Sequence, residues 1–245
     1  MNWIFPIAGY GKRTSSLGDY KPLIEVQPGW SILKLCLASL KSLVQPADRL
    51  VFIFSKAQEE EYMVEASVHA VLNELNLYNK VDFAILETTP AGQALTIMHG
   101  LDQLDVNFLQ DQTYVINSDQ VVFFDPALID QTRNSVGMYF NQGTGSCFYN
   151  LDTTNRKVVE IKEKQKISCN AAAGVFYFTS AMELKNAIQW GIDTNKQHNG
   201  ELYLGPCMEM FDDLSYFQTM MKFDLGNIEK ITLFKKFCEN IEEIR

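Results

Sequence analysis

Short apolar runs alternating with longer stretches of helical period constrain this 245-residue chain more than any other feature of it. Residues 2–7, Arg49 to Phe54, Val81 to Leu86 and Thr113 to Asn117 have the length and the β-branched or aromatic content of buried strands. Between them the period changes. Residues 57–76 set Val64, Val68, Val71, Leu72 and Leu75 on one face of a helix, a stripe suited to packing on a sheet. Ser31 is placed to cap a helix running through Leu43. Strand–helix–strand order predicts right-handed βαβ units and a mostly parallel sheet covered on both faces.

The second half reads differently. Strand-like runs at Val136 to Phe140, Val158 to Ile161, Val175 to Phe178 and Phe217 to Phe223 follow turns at 141–146 and 152–156 that are too short for crossover helices. An antiparallel extension of the same sheet is expected. Ser180 and Glu183 have capping-box spacing before a helix to about Trp190. A last helix from Asn227 is expected to bury Ile231, Phe234, Phe237, Cys238 and Ile241. No repeat and no Pro-, Gly- or Ser-rich linker divides the chain. The expectation is one α/β domain over residues 1–245: a three-layer α/β/α arrangement on a mostly parallel mixed sheet.

Thirty acidic against 21 basic side chains give a formal net charge of −9. A field of that sign opposes nucleic acid and anionic membranes, which are bound chiefly by Lys and Arg neutralising phosphates. No apolar stretch approaches the roughly 20 residues of a spanning helix, and Met1 to Pro6 has no basic region followed by a long apolar one. A cytoplasmic address is expected. The five cysteines (Cys36, Cys147, Cys169, Cys207 and Cys238) are odd in number and scattered, so neither a disulfide framework nor a structural zinc site is expected. His69, His99 and His198 have no metal-ligand spacing.

The chemistry concentrates in the loop after the first strand, where open α/β sheets bind ligands. Ala8-Gly9-Tyr10-Gly11-Lys12-Arg13-Thr14 puts two glycines one residue apart, so backbone N–H groups can approach an anion, and Lys12, Arg13 and Lys21 add three positive charges. Thr14 stands where a dinucleotide fingerprint needs its third glycine, and no glycine precedes Gly11 by five residues as a P-loop requires. The pattern suits a triphosphate cradle.

Pro6 to Arg13 followed by Lys21-Pro22-Leu23 resembles the opening of the sugar-1-phosphate nucleotidylyltransferases, and the resemblance continues in order. Pro90-Ala91-Gly92-Gln93-Ala94 resembles the nucleotide-base loop, and Asn117-Ser118-Asp119 the strand-end N-G-D. Val159 to Lys164 resembles V-x-E-K, and Asn170 to Phe178 the N-A-G-I-Y-x-F strand. Gly200-Glu201-Leu202-Tyr203-Leu204 resembles G-E-Y-x-L, and Phe223 to Asn227 resembles W-x-D-I-G-T. Seven weak matches in one order cover nearly the whole chain. The form is similar to short, single-domain members that serve capsule or other surface glycans.

The resemblance implies transfer of a nucleoside monophosphate from an NTP to a sugar 1-phosphate, with pyrophosphate leaving. Phosphoryl chemistry of this kind depends on positioning and charge neutralisation, and a phosphate monoester with a second pKa of about 6 needs no general base. Asp119 and Asp224 are implied as the Mg²⁺ ligands. Arg13 and Lys21 are implied at the triphosphate, Ala8, Gly9, Gly11, Lys12, Glu87, Gly92 and Gln93 around the nucleotide, and Glu163, Lys164, Gly174 and Glu201 around the sugar phosphate. A homo-oligomer is a further family-level expectation.

Three positions depart from the family pattern: Gln165 replaces proline, Asn227 replaces threonine, and Glu87 falls where a base-reading glutamine is usual. A carboxylate only accepts hydrogen bonds, so Glu87 would favour cytosine or guanine. The alternatives are a phosphocholine-type cytidylyltransferase with a cage for a quaternary amine, for which Tyr10, Tyr20, Trp190 and Tyr203 are available, a GT-A glycosyltransferase, whose D-x-D is absent at Asp119-Gln120-Val121, and a non-catalytic module.

Overall fold

The computed structural model describes residues 1–9, 14, 16, 17 and 20–244, with side chains through residue 241. In chain order the first half holds β1 (Asn2–Pro6), β2 (Glu25–Gln27), β3 (Trp30–Ser31), α1 (Ile32–Leu40), β4 (Arg49–Ser55), α2 (Lys56–Tyr62), α3 (Val64–Glu74), β5 (Lys80–Leu86), α4 (Gln93–Leu101), β6 (Thr113–Ile116) and β7 (Gln120–Phe123). There follow β8 (Ser135–Phe140), β9 (Cys147–Asp152), β10 (Lys157–Glu163), β11 (Asn170–Phe178), α5 (Ala181–Asp193), α6 (Leu204–Cys207), β12 (Ser215–Gln218), β13 (Met221–Asp224) and α7 (Ile228–Ile244).

Among the described residues the main sheet runs β10-β9-β11-β6-β1-β4-β5, with β8 on β11 and β12 on β8. β5, β4, β1 and β6 are parallel neighbours, as the βαβ pattern requires. β11 then runs antiparallel to β6, β8 and β9, and β10 antiparallel to β9. This is the expected extension for β8 to β11, but β12 joins β8 in parallel rather than antiparallel. Alternation along the central strands divides the core: Ile4, Val51 and Ile53 face α4 and α5 through Ile97, Leu101, Leu184 and Ile188. Trp3, Phe5, Leu50, Phe52 and Phe54 face α1 and α3 through Leu33, Leu37, Val68 and Leu72. Each such side chain gains roughly 1.5–3 kcal/mol from burial, so the layering follows from the pleat.

The structure corrects the sequence expectation at several points. Of the five side chains expected to be buried by α7, only Ile231 and Phe234 are; Cys238 is partly covered, and Phe237 and Ile241 are 37% and 41% exposed, because the apolar cluster under α7 takes in only Ile231, Phe234 and part of Cys238. The continuous helix over 57–76 is two helices, because Met63 adopts a left-handed φ of 48° as its N–H closes on the Glu59 carbonyl and its own carbonyl accepts from Ser67. The break lets Tyr62 stack on Tyr20 at 5.1 Å. The single run over 217–223 is likewise two strands. Gln218 ends on β8, the Thr219 N–H and hydroxyl bond the Met138 carbonyl, and β13 departs to pair with β7. β7, β9 and the β2–β3 pair are strands that the sequence pattern does not predict.

The antiparallel ribbon of β7 and β13 does most to position the charged residues. Val121 and Phe223 face one way and join Ile24, Val26, Ile32, Leu225, Ile231 and Phe234 in a third, satellite core beneath α7. Asn227 caps α7, its Oδ1 accepting the Lys230 N–H at 2.9 Å. Phe234 meets Phe223 edge-on at 5.1 Å.

Candidate active site

Four charged residues stand beside members of the satellite core. Lys21 precedes Ile24 in a 3-10 turn, Asp119 precedes Val121, Asp224 precedes Leu225 and Lys230 precedes Ile231. Packing of the apolar neighbours therefore brings the charges together. Asp119 leaves the carboxyl end of β6, and its carbonyl accepts the Leu225 N–H at 2.8 Å, which ties it to the end of β13. A methyl on Gly226 would stand 2.6 Å from Asp224 Oδ1 and 3.3 Å from Asp119 Oδ2, so both carboxylates converge on the space that Gly226 leaves. Each also meets a lysine. Lys21 pairs with Asp119 Oδ2, and Lys230 with Asp224 Oδ2 at 2.7 Å. Asp224 Oδ1 accepts the Gly226 N–H at 2.7 Å.

A second cluster lies where β10 ends. Lys164 holds a left-handed φ of 55°, fixed by its N–H on the Ser146 carbonyl at 2.9 Å, a conformation that costs a non-glycine residue about 1–2 kcal/mol. Its ammonium donates to Tyr203 Oη at 2.6 Å and lies 4.2 Å from that ring's centroid. Tyr203 Oη in turn donates to Glu201 Oε2. Glu201 is presented by a two-residue turn: Asn199 and Gly200 both have positive φ, and His198 and Glu201 exchange both backbone hydrogen bonds, as in a type I′ hairpin. Glu163 points inward against Cys147 and α6. Burial raises its carboxyl above the usual range, against the opposing pull of the Cys147 S–H and the Lys164 charge. Burial, with Glu163 nearby, also pushes the Cys147 thiol well up.

A backbone seam and a set of amides connect the two clusters. Gln93, first residue of α4, donates to Asn117 Oδ1 at 2.6 Å. The Gly174 carbonyl accepts the Asn117 N–H at 2.8 Å and buried Gln120 Nε2 at 2.9 Å. Gly174 is thus a buried brace: a methyl there would stand 2.5 Å from Gln120 Oε1. Leu202 exchanges backbone bonds with the turn before α4, its carbonyl accepting the Ala94 N–H and its N–H donating to Ala91. The Ala8 carbonyl accepts from Gln58 of α2 at 2.7 Å, which fixes where the first loop leaves β1.

Of the residues singled out from the sequence, Lys21, Asp119 and Asp224 meet in one cluster, and Lys164 and Glu201 meet at Tyr203, whereas the Glu163 carboxylate turns away to Cys147 and α6. Gly9 lies at the exposed loop mouth, Glu87 is the exposed residue that follows β5, and Gly92 and Gln93 form the entry to α4. Tyr10, Gly11, Lys12 and Arg13 lie outside the described residues. Lys230, Asn117 and Gln120 join the site without a role predicted for them from sequence. The signal available for Lys230 was a cation in the first turn of a helix, where the macrodipole disfavours it.

No protein-family profile matches the chain, and no curated protein does. Solved structures do match in fold. A nucleoside-diphosphate-sugar pyrophosphorylase from Vibrio cholerae RC9 superposes with a TM-score of 0.80 at 19% identity, over 96% of this chain and 99% of that one. A UDP-glucose pyrophosphorylase, solved with UDP-glucose, gives 0.73 at 12% identity over 98% of each chain. The CTP:phosphocholine cytidylyltransferase from Streptococcus pneumoniae gives 0.68 at 13% identity, over 97% and 98%. The fold is that of the sugar-1-phosphate nucleotidylyltransferases, a mixed α/β sheet flanked by helices.

Proposed function

We propose that this chain is a nucleotidyltransferase that moves a nucleoside monophosphate from an NTP to a sugar 1-phosphate and releases pyrophosphate, supplying a nucleotide sugar for surface glycan synthesis. The observation that carries the reading is the convergence of Asp119 and Asp224 on Gly226, with Lys21 on one of them, at the carboxyl end of β6. Ligands bind at that edge in open α/β sheets.

Among the described residues no cluster of three His, Cys, Asp or Glu side chains forms a complete metal cage. Two convergent carboxylates instead suit a hard cation that draws its other ligands from water and substrate phosphates, as Mg²⁺ does. Asp119 and Asp224 would hold it. When bound, Mg²⁺ neutralises charge on the phosphates and helps orient them. The protein supplies the rest: Lys21 presents its ammonium beside Asp119, toward the transferred phosphate, and Lys164 faces the acceptor phosphate. Arg13 is assigned to the departing pyrophosphate by resemblance. The acceptor oxygen attacks the α-phosphorus in line, one P–O bond forms as the bond to pyrophosphate breaks, and no base is needed for an acceptor already ionised near neutral pH.

Glu87 at the end of β5 would accept from the amino and imino donors of cytosine or guanine. A quaternary-amine acceptor is less well served. Lys164 and Lys196 lie against the Tyr203 and Trp190 rings, and Tyr20 is buried against Tyr62, so these rings do not offer open faces for a second cation.

The test is turnover across a matrix of NTPs against sugar 1-phosphates and phosphocholine with Mg²⁺, read as released pyrophosphate. Activity with a sugar 1-phosphate, and a fall of about 10²-fold or more in Asp119→Ala and Asp224→Ala, is expected. Folded protein without turnover in any combination overturns the reading. A clear preference for UTP or dTTP removes the assignment of Glu87.

A further inference from the structure

Lys230 occupies a position that local physical chemistry disfavours. With Asn227 as cap it is the third residue of α7, where the helix dipole places partial positive charge, yet it carries a positive charge of its own. The surrounding architecture holds it there. Ile231 beside it is buried in the satellite core, so the helix cannot rotate Lys230 away without exposing that core. Its ammonium lies 2.7 Å from Asp224 Oδ2, while the other oxygen of Asp224 accepts from Gly226. A residue that violates a local rule at a convergent cluster of charge is expected to serve the site.

The cluster explains what it does. Asp119 and Asp224 face the same small space at Gly226, and two carboxylates so placed repel each other unless countered. Lys21 counters Asp119 and Lys230 counters Asp224, from opposite ends of the chain. The lysines are not equivalent. The Lys21 side chain is 13% exposed and that of Lys230 45% exposed, so the second pair is the one that water screens and that exchanges at small cost.

We propose that Lys230 is an exchangeable counter-ion. It holds Asp224 while the carboxylate pair is without a divalent cation, yields that carboxylate when the cation arrives with the nucleotide, and then pairs with a nucleotide phosphate. The inference rests on the carboxylate pair of the proposed function and assigns a role to a residue outside the motifs of the resemblance. No bond is made or broken; one ion pair is exchanged for another.

The experiment is Mn²⁺ binding by titration calorimetry without nucleotide, on the wild-type chain, Lys230→Met, Lys230→Arg and Asp224→Asn, each checked for folding by its thermal melt. Lys230→Met should bind Mn²⁺ about three- to fivefold more tightly than wild type, the scale of an exposed ion pair, and Lys230→Arg should resemble wild type. In turnover, Lys230→Met should raise the KM for NTP while leaving that for the acceptor in place. Equal or weaker Mn²⁺ binding by Lys230→Met overturns the counter-ion role. Equal Mn²⁺ binding by wild type and Asp224→Asn instead overturns the carboxylate site itself, and with it the exchange.

Discussion

Gly92 lies against the backbone of Leu202 so closely that a methyl on it would stand 2.6 Å from both the Leu202 nitrogen and oxygen, and its φ of 109° is one that side-chain-bearing residues rarely adopt. The contact joins the turn before α4 to the Glu201–Tyr203 segment, and both ends of the proposed reaction are thereby anchored on one seam.

Gly92→Ala therefore meets two costs at once, a strained backbone of about 1–3 kcal/mol and displacement of a neighbouring main chain. The expected outcome is a lower melting temperature together with raised KM for both NTP and acceptor. A variant with altered KM for the nucleotide alone would show that the seam does not couple the two loops.

The reaction's acceptor side can be tested more finely at Tyr203. Tyr203→Phe keeps the ring beneath Lys164 but removes the hydroxyl that accepts from Lys164 and donates to Glu201. Loss of a hydrogen bond to a charged group is worth about 1.5–3 kcal/mol at most and less where water substitutes. Acceptor KM should rise by about three- to thirtyfold with NTP KM unchanged, measured by steady-state kinetics. An unchanged acceptor KM would take Lys164 out of the acceptor site.

How far the sequence carried this picture depends on the kind of interaction involved. Strands β1, β4 and β6 were legible because burial on both faces writes itself as an apolar run. The edge strand β5 was legible because Phe83 to Leu86 still form such a run, and Asp119 because Asn117-Ser118-Asp119 follows one in the pattern of the resemblance. Ser31 and Ser180 were readable as caps, and both accept the backbone N–H three residues on. Met63 was not, since no glycine or proline marks the break between 56–62 and the apolar stripe that begins at Val64, and the packing of Tyr62 on Tyr20 lies far off in sequence. The β7–β13 ribbon was missed for a similar reason: its strands are four residues long and pair across about 100 residues of sequence, which no local pattern encodes. Gly174 was noticed for a ligand, whereas its immediate constraint is the buried amide of Gln120. Lys230 was one exposed lysine among several until the ribbon placed Asp224 beside it.

Asp48, just before β4 at the amino end of the parallel strands, stands away from the site and provides a control. Its Oδ2 accepts both the buried Trp3 indole N–H and the Gln45 N–H at 2.9 Å, and Trp3 stacks on Tyr114 at 4.4 Å. Asp48→Ala leaves two donors without partners, at about 2 kcal/mol, which corresponds to about 4–8 °C in melting temperature for a chain of this size. Kinetic constants of the folded variant should match wild type. A change in KM larger than twofold would mean that strain passes along β1 to the first loop.

Glu163 gives the pH dependence. Burial raises its carboxyl in the folded state above the ordinary 4.5, and the Cys147 S–H and the Lys164 charge only partly offset that. The folded chain therefore holds a proton that the unfolded chain has already lost, and stability from this group falls as pH rises from about 4.5 through the raised folded value. Glu163→Gln carries no charge and can still accept from Cys147, so it escapes that cost. Its melting temperature relative to wild type should climb across the same interval and level off above it, as read by thermal melts in a pH series. A difference that is constant with pH, or that shrinks as pH rises, would contradict the burial of a strained carboxylate here.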